Sequence, residues 1–304
     1  MRRLVILNPV SRGGRARELF RKLEPELKVA LGSFEVFETR DRLDATTTVR
    51  KVLSEKRFDQ LLVAGGDGTV NEVVNGYFDG GRLLSKTTGL GIVNLGSGGD
   101  FFRGLLQVSQ DYPTALRENR IKQVDCGHVT IGGDSKYFIN IASVGVAGNI
   151  MYSRENSSFR AGTVAYFYHT LKSLVTFQPR DMKIAWVDER DQKQESTVKP
   201  LNIFVCNGRF NGAGMNWAPQ ASISDGLFDV VFIAGVSKLK LVSNSRLVYA
   251  GQVAKFPGIK QFRAREVTID PGSMVRGEAD GEIYESSGFP IHYKMIPATV
   301  PLVM

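Results

Sequence analysis

Apolar residues recur with two different periods along this chain, and the balance between them changes near residue 124. In the first third, short apolar runs alternate with stretches of helical spacing. Residues 4–7, Leu-Val-Ile-Leu, predict a buried strand that breaks at Asn8-Pro9. Ala16, Leu19, Phe20, Leu23, Leu27, Ala30 and Leu31 then fall on one helical face. Residues 34–39 predict a strand, 45–54 a helix, 60–64 a strand, and 89–95 a further apolar strand. Strands alternating with helices imply a mostly parallel sheet with helices on both faces. Such sheets bind ligands outside the carboxyl ends of their strands. Asn8, Thr39, Gly65 to Thr69 and Gly96 to Asp100 all follow strand ends. Four polar or glycine-rich turns are therefore expected to meet at one edge.

Beyond Val124 the pattern becomes strand after strand. Residues 124–131 and 136–142 flank Gly132-Gly133-Asp134, a hairpin signal. Residues 183–187, 201–207, 227–233, 266–269 and 291–295 continue it, with helices expected near 161–175 and 238–254. This predicts a second, antiparallel β-rich domain. There is no internal repeat, low-complexity tract or long linker.

The turn Gly65-Gly66-Asp67-Gly68-Thr69 leads directly into a helical pattern of Val70, Val73, Val74 and Tyr77. A strand, a glycine turn and a helix start leave backbone N–H groups aimed outward, where the helix dipole favours an anion. Asp67 is out of place in a bare anion site because its charge repels phosphate. A divalent cation between them, or a proton-handling role, would account for it. An ordinary strand–helix turn capped by Asp67 is the plainer reading.

Composition narrows the partners. The chain has 304 residues, room for two domains with real cores, and is 42% apolar and 23% charged. Its net charge of +8 suits an anionic partner: nucleotide, nucleic acid or acidic bilayer. No helix-turn-helix, RNP or zinc module is present, so nucleic acid ranks last. Two cysteines, Cys126 and Cys206, build no disulfide framework or zinc spacing, which favours a reducing compartment. His128, His169 and His292 form no metal spacing and are expected to be structural. The apolar run at residues 4–7 is too short for a signal peptide, and no stretch approaches the roughly 20 apolar residues of a membrane span. A cytoplasmic protein is expected, any membrane contact being peripheral and on an anionic surface. Oligomeric state stays open, a homodimer included.

Six motifs in order carry a family resemblance: Asn8-Pro9-Val10-Ser11-Arg12-Gly13-Gly14, the Gly65 to Thr69 turn, residues 90–103, Phe138 to Gly145, Ser224-Asp225-Gly226-Leu227-Phe228-Asp229, and Asp280-Gly281-Glu282. Together they resemble the catalytic domain of the diacylglycerol, sphingosine and ceramide lipid kinases, above all the bacterial diacylglycerol-kinase-like members. The resemblance implies a phosphofructokinase-like α/β domain, residues 1–122 with 296–304, that binds nucleotide. Residues 123–295 would form an antiparallel β-sandwich that binds lipid, with the nucleotide in the cleft between the two. It implies ATP and Mg2+ as cofactors and a membrane lipid, diacylglycerol-like, as acceptor.

Carried over residue by residue, Asn8, Pro9, Ser11, Gly13 and Gly14 would cradle phosphate, although an ordinary turn reads equally well. Gly65, Gly66, Asp67, Gly68, Thr69, Asn71 and Glu72 carry over as nucleotide-binding, with Thr39 and Ser97 as hydroxyl contacts. For Glu72 simple complementarity to the helix dipole reads equally well, and for Thr39 the start of an ordinary loop does. Asp67, Asp100 and Asp125 would organise the active-site magnesium and its waters. Glu282 is the first candidate for the general base and Asp280 the second, although Asp-Gly is also a common hairpin turn. Ser222, Asp225 and Leu227 match a structural magnesium site of bacterial relatives, or a plain turn. Residues 159–177, with Val164, Tyr166, Phe167, Leu171, Leu174 and Val175 beside Arg160, His169 and Lys172, could rest on a membrane or line an acyl pocket. Packing against a sheet is the preferred reading.

The chain departs from the family twice. Gly99 stands where an amide side chain is usual, and Asn94 replaces a proline, so the loop is expected to be more flexible and one polar contact short. Two alternatives follow: a small-molecule kinase akin to NAD kinases, which share the Gly-Gly-Asp-Gly turn, or a lipid- or nucleotide-binding protein that has lost catalysis.

Overall fold

The computed structural model describes residues 1–159 and 162–304. Arg160 and Ala161, and the Tyr166 side chain, lie outside the described residues. The chain forms two compact units, Met1–Cys126 with Pro297–Met304, and Gly127–Ile296.

In the first unit, strands β1 (Arg3–Leu7), β2 (Glu35–Glu38), β3 (Gln60–Gly65) and β4 (Gly89–Asn94) form a parallel sheet in the order 2-1-3-4. The end of the chain joins this sheet beside β4, with Leu302 opposite Leu90. Between the strands run α1 (Ala16–Leu31), α2 (Asp44–Ser54), α3 (Asp67–Gly76), α4 (Asp100–Val108) and α5 (Tyr112–Glu118). β1 and β3 are buried throughout because helices cover both faces of the sheet, as continuous apolar runs require. The connection from β1 leads to β2 on one side, while β3 pairs on the other. The order therefore reverses at the carboxyl ends of β1 and β3, the place where such sheets open a ligand crevice.

The second unit begins within β5 (Ile121–Ile131), which pairs with β6 (Asp134–Phe138) as the expected hairpin. β7 (Ile141–Gly145), α6 (Val146–Glu155), α7 (Gly162–Thr176), β8 (Met182–Asp188), β9 (Lys193–Val198), β10 (Pro200–Cys206) and β11 (Phe228–Ala234) follow. Two short helices, α8 (Lys238–Ser243) and α9 (Ser245–Tyr249), lead to β12 (Ile259–Asp270), β13 (Arg276–Ala279), β14 (Glu282–Glu285) and β15 (Ile291–Val303). The first half of β12 pairs with β11 and its second half with β8 and β15. One strand thus serves two sheets and turns the corner of a β-sandwich. Phe138, Val144, Ile203, Val205, Phe228, Val267, Ile269 and Tyr293 fill the space between the sheets. On the outer face of β7, β10 and β11, Ile141, Phe204 and Ile233 pack with Ile150 of α6 and Leu174 of α7.

Several elements differ from the sequence expectation for identifiable reasons. The strand expected over 136–142 is two strands, broken at Ile139–Asn140, because a carboxylate takes the amides there. The helix expected over 238–254 is α8, α9 and a 3-10 turn at Val253–Lys255. β9 was not anticipated because its residues are exposed and polar, leaving no apolar alternation to read. Helices α4, α5 and α6 are likewise additional.

Candidate active site

Within the first unit the strand-end turns are tied together by side chains. Asn8 follows β1; its Nδ2 donates to Thr69 Oγ1 at 3.0 Å, and its Oδ1 accepts the Val10 N–H at 3.2 Å. This links the turn after β1 to the first turn of α3. Pro9 and Ser11 are half-buried, and Arg12, Gly13 and Gly14 all have positive φ on the surface. Gly66 caps α3 in an extended conformation, so the amides of Asp67 and Gly68 precede the first intrahelical bonds. Gly65 and Thr69 are buried with the strand end, and Gly68 is exposed. Gly96 lies against Gly66: a Cβ on Gly96 would sit 2.5 Å from the Gly66 Cα. Two turns from neighbouring strands therefore touch backbone to backbone.

Asp67 joins them. Its carboxylate accepts the N–H groups of Asp100 at 3.1 Å and Phe101 at 3.2 Å. These are the first amides of α4, whose own cap residue, Gly99, has no side chain to offer. Asp67 thus caps the N-terminus of α4 from outside that helix. Asp100 and Asn71 are buried, Glu72 is half-buried, and Ser97 is exposed at the loop tip. Thr39 is buried, its N–H donating to the Leu7 carbonyl. Asp125 lies in β5, buried, and accepts the Ala298 N–H at 2.8 Å.

Among the described residues no group of three or more Asp, Glu, His or Cys side chains is placed to hold an ion by itself. Asp67, Asp100 and Asp125, expected together around magnesium, therefore form no such group; a magnesium ion bound with a nucleotide would need only one or two carboxylates besides phosphate oxygens. Asp67 fits: two amide bonds leave about two of a carboxylate's four lone-pair sites open.

In the second unit, Asp280 and Gly281 form the two-residue turn between β13 and β14, with φ of 49° and 89° and Ala279 opposite Glu282. Positive φ at both positions is the hairpin geometry that Asp-Gly favours. The Asp280 carboxylate accepts three amides, from Ile139 at 2.7 Å and from Asn140 and Ile141 at 3.0 Å. It fastens the hairpin to the break between β6 and β7. Glu278, fully buried, fastens it from the other side: Oε2 accepts the Gly281 N–H at 2.9 Å, and Oε1 accepts Ser143 Oγ at 2.8 Å and Asn211 Nδ2 at 3.2 Å. Burial pushes the Glu278 carboxyl up to about 7 against these bonds. Glu282, half-buried, begins β14 just beyond the turn. Glu278 was missed in the sequence; a Glu two residues from Asp-Gly in a short strand carries no signal that it points inward.

The turn with Ser222, Asp225 and Leu227 does not suit a cation as arranged. Asp225 Oδ1 accepts the Leu227 N–H at 3.2 Å, and Oδ2 pairs with the Arg263 guanidinium. A metal there would have to displace the arginine.

Residues 2–129 match the family model described as "Diacylglycerol kinase catalytic domain". Residues 140–304 match "YegS C-terminal NAD kinase beta sandwich-like domain". The chain is 28% identical over 287 residues to a diacylglycerol kinase of Staphylococcus saprophyticus, covering 91% of this chain and 88% of that protein. It is 26% identical over 288 residues to a diacylglycerol kinase of Bacillus subtilis, covering 91% and 88%. Among solved structures, a diacylglycerol kinase from Bacillus anthracis superposes with a TM-score of 0.67 at 20% identity, covering 99% of this chain and 96% of that one, a likeness of fold.

Proposed function

The chain belongs to the diacylglycerol-kinase-like lipid kinase family, and from that premise we propose that it transfers the γ-phosphate of ATP, with Mg2+, to a hydroxyl of a membrane lipid of the diacylglycerol class. The observation that carries this reading is the pair of abutting turns after β3 and β4, beside the β1/β3 switch point. There Gly66 and Gly96 abut, and Asp67 locks the loop after β4 to the start of α3. The amides at 66–68, the turn at 12–14 and the Asn8–Thr69 pair supply fixed donors for a polyphosphate, at a point where a side chain on Gly96 would interfere. Thr39, Ser97, Asn71 and Glu72 would contribute from the periphery, the buried Asn71 through its helix.

The chemistry a magnesium ion would supply with the nucleotide is neutralisation of phosphate charge during transfer. Asp67, Asp100 and Asp125 are the residues that would hold the ion. The lipid oxygen attacks the γ-phosphorus, the bond from that phosphorus to the β-bridging oxygen breaks, and ADP leaves with the electron pair. Glu282 accepts the hydroxyl proton. Asp280 is a positioning residue in this reading, since its carboxylate already holds three amides. General-base help is worth about 10²- to 10⁴-fold; positioning and charge stabilisation supply the rest.

The test is incubation with radiolabelled ATP, magnesium and a total lipid extract, with NAD as a parallel acceptor. Labelled phospholipid is expected from the wild-type chain, lost on EDTA addition and in Asp67→Ala, and reduced about 10²-fold or more in Glu282→Ala. Undiminished labelling in both variants would defeat the assignment. Labelled NADP without labelled lipid would replace the acceptor. Tight ATP binding with no labelled product would make the chain a binding protein.

A further inference from the structure

Helix α7 has its amphipathicity reversed for a helix of a globular unit. Its covered face carries Ala165 (0% exposed), His169 (1%) and Ser173 (3%), whereas Val164 (74%), Phe167 (65%), Leu171 (50%) and Val175 (66%) face water. Positions 164, 167, 171 and 175 recur at three- and four-residue spacing and so form one stripe. The helix is held by its polar side. His169 Nε2 donates to the Phe159 carbonyl at 2.8 Å, and Nδ1 lies 2.9 Å from Ser153 Oγ. Among its described residues, Leu174 is the one in the apolar cluster with Val146 and Ile150. The packing preferred from sequence therefore accounts for one face only; the more apolar face is left open.

What would cover it is limited by charge. Residues 156–179 contain Arg160 and Lys172 and no Asp or Glu, in a chain of net charge +8. Lys172 is exposed on α7 itself. Two copies packed on this face would bring like charges together. An anionic surface instead takes both Lys172 and the apolar stripe. At 15 residues α7 is too short to cross a bilayer, and no described helix is long and apolar enough to do so. A short helix with an apolar stripe, aromatic residues and a lysine on its surface suits the plane of a membrane interface.

We infer that the Val164–Phe167–Leu171–Val175 face of α7 is the docking surface by which this chain sits on an anionic bilayer. The inference rests on the lipid-kinase reading above for the reason a bilayer is visited, and its test separates the two. Full-length protein is sedimented with vesicles of phosphatidylglycerol and phosphatidylcholine, and with phosphatidylcholine alone. The comparison is the triple variant Phe167→Ser, Leu171→Ser, Val175→Ser, whose changes are all at exposed positions and whose folding is checked by circular dichroism. The wild-type chain should bind the mixed vesicles in a salt-sensitive way, the triple variant at least about tenfold more weakly, and Lys172→Glu more weakly too. Phosphorylation of long-chain diacylglycerol in vesicles should fall in parallel, while that of a short-chain, monomerically dispersed diacylglycerol is kept. Equal vesicle binding by wild type and triple variant, or none by wild type, overturns the inference. So does loss of both activities, which would place the helix in the catalytic machinery. A wild-type dimer dissolved by the triple variant with vesicle binding unchanged would give the face to a second copy. Serine-sensitive vesicle binding without phosphorylation of either lipid would uphold the docking face and sink the kinase reading.

Discussion

Gly99 and Asn94 share one volume. Gly99 has φ of +63°, and a Cβ there would lie 2.3 Å from Asn94 Nδ2. Asn94 Oδ1 accepts the Gly96 N–H at 3.1 Å. Read in sequence, the two residues are separate losses; in the structure they are an exchange, with an amide side chain entering the loop from residue 94 rather than 99. Gly99→Ala should raise the KM for ATP about tenfold and cost about 1–3 kcal/mol of stability. Asn94→Ala in the same chain should recover part of it, a coupling of about 1 kcal/mol in a double-mutant cycle of urea unfolding. Additive effects would mean that the two side chains do not compete. Glu278 gives a pH signature. Its carboxyl is raised from 4.5 to about 7, chiefly by burial. Between those values the folded chain keeps a proton that the unfolded chain releases, so this group's contribution to stability is full below pH 4.5 and is lost as pH rises through about 7. The swing is on the order of 3 kcal/mol. Glu278→Gln should flatten it, measured as the difference in unfolding free energy between about pH 5 and pH 8.

At the scale of elements, carboxylates do the joining. Asp67 lies on α3 and serves α4; Asp280 lies in the β13–β14 turn and serves the break between β6 and β7. Both positions were legible as motifs because glycine turns and strand ends are local signals. What they bond to was not, since the amides concerned are 33 and 141 residues away. Asp280→Ala leaves three buried-side amides without an acceptor and should cost about 3 kcal/mol or more, seen as a lower Tm. Glu282→Ala removes a side chain beyond the turn and should leave Tm within a few degrees while abolishing most turnover. Equal thermal loss in the two variants would give Glu282 a structural role as well.

At the scale of the whole molecule, the first unit takes its last strand from the far end of the chain. Val300, Leu302 and Val303 are fully buried there, and Ala298 donates to Asp125. Deleting residues 297–304 forfeits roughly 1.5–3 kcal/mol for each of those three side chains, comparable with the total stability of a typical domain. The truncated chain should show the first unit degraded in limited proteolysis while the second still unfolds cooperatively; an intact first unit would refute this. Hydrophobic period and turn chemistry by themselves determined the alternating first unit, the strand-rich second one and the glycine turns at the strand ends, because each reports how a segment buries its own face. They did not reveal α9 as a separate short helix, the polar strand β9, or the corner made by β12, where burial changes partner midway along one strand. Tertiary structure alone decided which acidic groups act as fasteners, that Glu278 is enclosed, and that α7 turns its apolar side outward. Those outcomes depend on which distant backbone or side chain occupies the neighbouring space, and no local repeat of residue types encodes that.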